Sequence, residues 1–306
     1  MALFRKKGKE KVTSEGGGGS SCPSGQPGAS CKSCSTASCP SRQKEAVNAR
    51  LARIRSKIVV MSGKGGVGKS TVAATIARGL ARRGRSVGLL DVDFHGPSLP
   101  RILGAVGKKA ALKGDAIIPV QVEDRLSVMS LGFLLPDAKE AVIWRGPIKM
   151  NLIKQFLEDV DWGDLDYLVV DCPPGTGDEP LSVLQTLGSD AKAVIVTTPQ
   201  AVAVDDVRRS ITFCEKLGNA VLGVVENMSG FRCPGCGQVH DLFGTGGGKA
   251  LADEMGVPFL GSIPLAPAIR LAGDQDGSAS DAADPAVELA QGIIDTIEER
   301  AAKKDG

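Results

Sequence analysis

The residues best suited to chemistry form a glycine-rich segment that carries two lysines and a serine. Its nine residues are Gly63, Lys64, Gly65, Gly66, Val67, Gly68, Lys69, Ser70 and Thr71. The spacing G-x-x-x-x-G-K-[ST] is typical of a phosphate-binding loop between a strand and a helix. The glycines let backbone N–H groups face a β-phosphate, Lys69 adds positive charge, and the Ser70 hydroxyl can hold Mg²⁺. The segment predicts a nucleoside triphosphate site.

Carboxylates follow two apolar runs that read as buried strands. Asp91 and Asp93 come after one run, and Asp171 comes after another. The carboxyl ends of parallel strands face the ligand crevice of such a sheet, so these side chains are expected near Mg²⁺ and an attacking water. For Asp91 and Asp93, a capping or turn role is the alternative. The Pro/Gly-rich segment 172–178 after Asp171 could change conformation with the γ-phosphate.

A third polar side chain, Asn227, follows the predicted strand 220–225. Its amide can both donate and accept hydrogen bonds, which suits the edge of a purine base. The sequence therefore predicts that Asn227 contacts the nucleotide base.

Six of the eight cysteines lie in two groups with metal-ligand spacing. Cys233 and Cys236 form a C-x-x-C turn, which supplies half of a four-sulfur site, so the other half must come from another segment or chain. The order of preference for this pair is iron–sulfur, then zinc, then thiol redox chemistry. Four more cysteines near the N-terminus, which could bind an iron–sulfur cluster, zinc or nothing, are Cys22, Cys31, Cys34 and Cys39. The remaining two, Cys172 and Cys214, are predicted to be buried core residues.

The elements that must position these residues alternate between apolar strands and helical stretches. The predicted strands are 58–61, 86–90, 126–130, 167–170, 193–197, 220–225 and 257–260. The predicted helices are 70–83, 146–158, 179–187, 203–217, 246–255 and 285–302, with a further helix at 43–56 leading into the first strand. This alternation predicts an α/β fold of the P-loop NTPase type, a mostly parallel sheet with helices on both faces.

Composition divides the 306 residues into two parts. Residues 1–45 are basic, then rich in glycine and serine, then rich in cysteine, so they are expected to form a flexible, disordered tail. Residues 46–306 are predicted to be one NTPase domain. The net charge of +2 argues against bulk binding to nucleic acid. We expect a cytoplasmic protein with no nucleic-acid or membrane partner, because we find no apolar run of membrane-spanning length.

The motifs together resemble the Mrp/ApbC family of iron–sulfur cluster carrier ATPases and the related scaffold NTPases of cytosolic iron–sulfur assembly. The resemblance covers about residues 46–300. It rests on the segments Gly63–Thr71, Asp91–Asp93 with Gly96-Pro97-Ser98, Asp171–Asp178, Glu226–Ser229 and Cys233–Cys236. The loop with its early lysine is similar to the deviant phosphate loop shared with the nitrogenase iron protein, MinD, ParA and ArsA.

This resemblance implies an ATP-hydrolysing homodimer in which Lys64 reaches the partner's nucleotide and acts with Lys69 and Asp93 in catalysis. It also implies that a [4Fe-4S] cluster, held between two C-x-x-C pairs across the dimer, is transferred to apo-proteins. The alternative for Lys64, from the sequence alone, is a solvated side chain. The four-cysteine tail is similar to that of the eukaryotic-type scaffolds, with closer spacing.

Two other functions remain open from the sequence. One is a ParA/MinD-type positioning ATPase that acts on DNA or a membrane, and the other is a zinc-stabilised NTPase without cluster transfer. The predicted C-terminal helix has an apolar stripe but ends in Glu298-Glu299-Arg300, which favours packing on the domain over membrane insertion.

Overall fold

A mostly parallel β-sheet is the centre of this computed structural model, which describes residues 47–94, 96–114, 116–134, 146–274 and 284–302. The strands are β1 (Ile54–Ser62), β2 (Val87–Asp91), β3 (Ala111–Lys113), β4 (Ala116–Ile118), β5 (Val120–Glu123), β6 (Leu126–Met129), β7 (Leu165–Asp171), β8 (Ala191–Thr197), β9 (Val221–Arg232), β10 (Val239–His240) and β11 (Phe259–Leu265). The main sheet has the order β10-β9-β8-β1-β7-β2-β6-β5, with β11 parallel beside β9. Only β5 and β10 pair antiparallel in this sheet, and β3 and β4 form a separate hairpin.

Helices cover both faces of the sheet. They are α1 (described over 47–51), α2 (Lys69–Arg82), α3 (Leu99–Ile102), α4 (Gly146–Glu158), α5 (Asp178–Leu187), α6 (Ala201–Leu217), α7 (Gly247–Met255), α8 (Pro267–Asp274), α9 (Pro285–Leu289) and α10 (Gln291–Ala302). Parallel strands need crossover connections, and these connections place the helices on the faces. The predicted α/β architecture is confirmed.

The alternating side chains of β1 belong to two different hydrophobic cores. Val59 and Met61 pack with residues of α4, α5, α6 and α7 on one face. Ile58 and Val60 pack with residues of α2, α3, α9 and α10 on the other. This two-sided burial explains why the central strands read as continuous apolar runs rather than as alternating patterns.

Several predicted elements differ in extent from the observed ones, and three of these differences are instructive. The described helical residues before β1 are 47–51, and the predicted helix 43–56 is wrong at its end because Ile54 already pairs with Leu165 in the sheet. The helix predicted at 285–302 is divided at Ala290 into α9 and α10. Strand β9 continues to Arg232, so Asn227 lies inside this strand rather than after it.

None of the helices within the described ranges combines the length and apolar character needed to cross a membrane.

Candidate functional site

The glycine-rich segment joins the end of β1 to the start of α2, as the motif predicts. Gly68 caps α2 in a left-handed conformation with φ 79°, which glycine adopts without steric cost. A Cβ atom on Gly68 would also lie 2.2 Å from Nδ2 of Asn227. At Gly63, a Cβ atom would lie 2.4 Å from Cβ of Asp206 on α6. Both glycines are therefore required by close approach to neighbouring elements.

A cleft of about 270 Å³ opens over this loop. Its lining residues are Ser62, Lys64, Gly65, Gly66, Gly68, Lys69, Ser70, Thr71, Asp93, Ser98, Ile102 and Pro174. The structure thus brings Lys64, Lys69, Ser70 and Asp93 together around one space. Because the loop places a helix N-terminus and two lysines at this cleft, the site suits an anionic ligand such as a nucleotide phosphate.

Lys69 and Asp171 form a buried ion pair at the base of the cleft. The Lys69 Nζ atom lies 2.5 Å from Oδ1 of Asp171 and 3.3 Å from Oγ of Ser70. Burial raises the pKa of the Asp171 carboxyl, although the Lys69 ammonium and the Ser70 hydroxyl oppose this shift by favouring the ionised form. Oδ2 of Asp171 is buried and has no hydrogen-bond partner among the described residues. An orphaned carboxylate oxygen near a serine hydroxyl fits a hydrated Mg²⁺ ion, which prefers oxygen ligands.

The two aspartates after β2 have different surroundings. Asp93 lines the cleft, whereas Asp91 is buried behind it. Oδ1 of Asp91 accepts the backbone N–H of Asp93 at 3.1 Å, and Oδ2 accepts the Ser130 hydroxyl at 3.0 Å. Burial, followed by repulsion from Asp171, raises the pKa of Asp91 well above its usual range. Asp91 therefore orients the turn that carries Asp93, a turn role that the sequence analysis had left open.

Ser130 is a participant that the sequence analysis missed. It follows β6 at the same sheet edge, and its hydroxyl also accepts the N–H of Gly132 at 3.3 Å. Its position after a strand was the available signal, but serine is common in turns and carries little information by itself.

Asn227 contacts the phosphate loop directly. Its Nδ2 group donates to the backbone carbonyl of Val67 at 2.9 Å, and the side chain is buried. The amide therefore lies against the glycine-rich loop, with one of its donors engaged by the loop backbone. Its predicted contact with a purine base stays a prediction.

The C-x-x-C pair lies in the turn between β9 and β10. The N–H of Cys233 donates to the Gln238 carbonyl at 2.9 Å, and the N–H of Gly237 donates to the Cys233 carbonyl at 2.8 Å. Cys236 is exposed and Cys233 is partly exposed. The backbone N–H groups of Cys236 and Gly235, together with the Cys236 thiol, lower the pKa of Cys233 by hydrogen bonding to its sulfur. A stabilised thiolate is the form that binds metals.

Within the described ranges, no group of three or more His, Cys, Asp or Glu residues could hold a metal ion. The described residues therefore offer the cysteine pair no group of further metal ligands, and its predicted role as half of a four-sulfur site stays a prediction. Cys22, Cys31, Cys34 and Cys39 lie outside the described residues, so their predicted metal centre stays a prediction.

Cys172 and Cys214 are fully buried, which confirms their prediction as core residues. Burial raises the pKa of both thiols, that of Cys214 to about 12. Neither thiol has the character of a nucleophile or a metal ligand.

A second glycine-rich segment, 244–248, includes the start of α7, and its backbone N–H groups bind a carboxylate of the same chain. Glu226 accepts the N–H groups of Gly246 at 2.9 Å and Gly248 at 2.6 Å, as well as the Ser229 hydroxyl at 2.6 Å. This fully buried carboxylate satisfies the helix N-terminus and fastens α7 to β9. The sequence analysis included Glu226 in a segment of the family resemblance but assigned it no role.

The parallel sheet, the glycine loop between β1 and α2, and the aspartate that ends β7 beside the loop lysine define a P-loop NTPase. The family model ParA, described as NUBPL iron-transfer P-loop NTPase, matches residues 53–299. The chain therefore belongs to this family of iron-transfer P-loop NTPases, and the resemblance inferred from the motifs is confirmed at the family level.

Individual relatives agree with this assignment. The chain is 54% identical over 223 residues to the cytosolic Fe-S cluster assembly factor NUBP2 homolog of Trichoplax adhaerens, a match that covers 72% of this chain and 84% of the relative. It is 54% identical over 223 residues to NUBP2 of Homo sapiens, covering 72% and 82%.

Solved structures show the same fold. A nucleotide-binding protein from Archaeoglobus fulgidus in complex with ADP is 40% identical, with a TM-score of 0.69 over 79% of this chain and 94% of that one. The septum site-determining protein MinD of Pyrococcus horikoshii, complexed with Mg-ADP, is 27% identical, with a TM-score of 0.54 over 80% and 95%.

Proposed function

We propose that the protein is an ATP-binding, ATP-hydrolysing homodimer of the cytosol that binds an iron–sulfur cluster and transfers it to apo-proteins. The observation that carries this proposal is the exposed Cys233–Cys236 turn, with its stabilised thiolate, in the same chain as a phosphate loop. The names of the two relatives, both cytosolic Fe-S cluster assembly factors, support it.

In the proposed site, the loop N–H groups and Lys69 bind the β- and γ-phosphates, and Asp93 positions the attacking water. Ser70 and Asp171 would hold Mg²⁺, which supplies charge neutralisation at the phosphates when bound. Asn227 would meet the base. Lys64, which lines the cleft, would add its charge to the nucleotide of the partner subunit. Asp91 contributes by holding the Asp93 turn.

The cluster is the cargo in this proposal. Two thiolates from each subunit complete the four-sulfur coordination that a [4Fe-4S] cluster needs. A cluster on a two-fold axis is sensitive to subunit movement, so a nucleotide-driven change at the dimer interface gives a physical route to release. The tail cysteines 22, 31, 34 and 39 would bind a second cluster or Zn²⁺, close to the N-terminus and independent of the first site.

Anaerobic reconstitution with iron and sulfide, followed by iron, sulfide and zinc analysis, tests the proposal. The Cys233→Ala variant should lose about one cluster per dimer relative to the wild type, since a four-thiolate site cannot form without it. Gln238→Ala is the matched control, because it changes the same turn but keeps the backbone carbonyl that Cys233 uses. Transfer to an apo-ferredoxin, followed by its absorbance, then tests delivery.

Stoichiometric zinc, without iron uptake by the Cys233/Cys236 pair, would contradict cluster binding and support the zinc-stabilised NTPase instead. Iron bound at this site but never released to an acceptor would contradict the transfer role alone.

A further inference from the structure

One strand, β9, connects the phosphate loop to the cysteine turn. Asn227 and Met228 lie in the middle of this strand, and Cys233 follows its last residue. Only five residues separate Asn227, which contacts the loop, from Cys233. Any displacement of Asn227 therefore has a short covalent route to the thiols.

The contact between β9 and the loop leaves almost no free space. A Cβ atom on Gly68 would lie 2.2 Å from Nδ2 of Asn227 and 3.7 Å from Cε of Met228. The Asn227 amide also donates to the carbonyl of Val67. Gly68 is at the helix N-terminus that the motif assigns to phosphate binding, so a shift of the loop backbone on nucleotide binding would reach Asn227 and Met228. Close-packed contacts transmit such a shift instead of absorbing it.

The strand is irregular immediately after this contact. Ile263 of β11 pairs with Asn227, but Leu265 pairs with Phe231, so β9 has two more residues than β11 across this interval. Met228 has a φ of 58°, which is unusual for a residue with a side chain, and Gly230 has a φ of 69°. Residues 228–230 therefore form a bulge, which we call the β9 bulge. Bulges redirect a strand and the side chains that follow it.

The part of β9 that precedes the bulge is held in place by several contacts. Glu226 is held by Gly246, Gly248 and Ser229, and it pairs with Thr197 at the last register position that β9 shares with β8. The bonds from Gly246 and Gly248 and the pairing with Thr197 keep the first half of β9 in place, so movement at Asn227 is directed into the bulge. The bond from Ser229 joins this fixed point to the bulge itself.

We propose that the β9 bulge transmits the nucleotide state of the phosphate loop to the exposure of Cys233 and Cys236, with Asn227 and Met228 as positioning residues. The inference rests on the proposed function in one respect: it takes from it that these thiols carry a metal cargo. The physical coupling is a property of the polypeptide and exists without the cargo.

The test measures thiol alkylation in the full-length, metal-free protein. Iodoacetamide labelling is followed for each cysteine by peptide mass spectrometry, without nucleotide and with saturating Mg-ADP or a non-hydrolysable Mg-ATP analogue. We expect the rate at Cys233 and Cys236 to change by about fivefold or more on saturation, the lower end of typical coupling between sites. Cys214, which is buried on α6, serves as the internal reference.

Asn227→Ala should bring the ratio of rates with and without nucleotide close to one, measured at nucleotide concentrations that saturate this variant. Asn219→Ala is the matched control, because Asn219 is another buried asparagine next to β9 and donates to the carbonyls of Gly188 and Ala191 at 2.9 Å and 3.0 Å. Its loss costs stability but leaves the loop contact intact, so the wild-type ratio should remain.

If Asn227→Ala fails to bind nucleotide, a second pair of variants tests whether the β9 bulge transmits the nucleotide state. Met228→Gly removes the steric penalty at φ 58° and makes the bulge compliant, so the ratio should fall towards one. Met228→Leu keeps a side chain in that conformation and should preserve the ratio.

The inference would be overturned if the wild-type protein, with nucleotide demonstrably bound, gave a ratio of one. It would also be overturned if Asn227→Ala kept the same ratio as the wild type. Where Asn227→Ala binds no nucleotide, an unchanged ratio in Met228→Gly would overturn it instead. Because no metal is present, these outcomes are separate from failure of the proposed cluster binding, which iron analysis reports.

Discussion

At the scale of single residues, the site depends on charged groups that are buried and paired with each other. Lys69 is paired with Asp171, and Asp171 keeps one oxygen without a partner in the part of the chain that the structure describes. Such an arrangement is costly unless something occupies it, because a buried polar atom without a hydrogen bond loses its solvation. The cost is consistent with a site that is completed by a ligand.

The Lys69→Ala variant should lower ATP turnover by about a hundredfold or more, because it removes the cation that neutralises phosphate charge. Lys249→Ala is the matched control. Lys249 also follows a glycine at a helix start, but it is exposed and pairs with Asp253 instead of lining the cleft. Turnover that survives in Lys69→Ala would show that the catalytic site is misassigned.

The alkylation rate of Cys233 in the metal-free protein should level off at a lower pH than that of an ordinary thiol. Hydrogen bonds from Cys236 and Gly235 lower the pKa of Cys233, so its thiolate is present at a lower pH than an ordinary thiol's. The rate should therefore rise through a pH range below the usual one and then level off. Rates measured per cysteine across pH check this, and a profile of Cys233 at or above the ordinary thiol range would contradict it.

At the scale of elements, the phosphate loop is shaped by the helices and strands around it. Helix α6 approaches Gly63, and β9 approaches Gly68, so the loop is enclosed by parts of the chain more than a hundred residues away. The glycines thus serve two purposes: they give phosphate access to the backbone, and they make room for neighbours.

Gly63→Ala should lower the free energy of unfolding by about 1–3 kcal/mol, the typical cost of overpacking. The added Cβ would lie 2.5 Å from the backbone carbon of Asp206, so α6 or the loop must move. Gly65→Ala is the matched control, since its Cβ would meet only Cγ of Pro174 at an ordinary 3.9 Å. Urea midpoints at constant m-value measure both variants, and equal midpoints would refute the packing argument.

At the scale of the whole molecule, two of the proposed features need a second subunit: the contact of Lys64 with a nucleotide and the four-sulfur site. Lys64 lines the cleft of its own subunit here, and the cysteine pair lacks two sulfur ligands. In the proposed two-fold dimer both would be completed, because each subunit would supply the same residues to the other.

Mixing Lys64→Ala with Asp93→Asn subunits should restore about half of the wild-type turnover per heterodimer, because one of its two sites then has both groups. This recovery requires Lys64 to act on the partner's nucleotide and Asp93 to act on its own. Each variant alone should be inactive. Absence of recovery, with heterodimers demonstrated by native mass spectrometry, would count against action across the interface.

Deletion of residues 1–41 should lower bound iron while leaving ATP turnover and the Cys233/Cys236 cluster unchanged. The four tail cysteines fall within eighteen residues, so closing a site around one metal centre costs little loop entropy. Iron content that is the same before and after the deletion would remove the tail from the mechanism.

The local sequence determined the phosphate loop, the strand and the helix on either side of it, and the aspartates at the ends of β2 and β7. These features depend on short-range rules: glycine conformations, apolar runs and residues at strand ends are set within about ten positions of the chain. The cysteine turn was recognisable for the same reason, because its four residues and the glycine after them specify their own geometry.

Only the tertiary structure decided which of these residues meet. The fold brings together residues from segments that are distant in sequence: Asn227 meets Val67, Glu226 meets the start of α7, and Ser130 meets Asp91. The tertiary structure also extended β9 beyond its predicted end and formed a strand at the end of the predicted helix 43–56. In both places, pairing with neighbouring strands outweighs local propensity. Contacts between residues distant in sequence depend on the packing of the whole sheet, which no single stretch of the chain encodes.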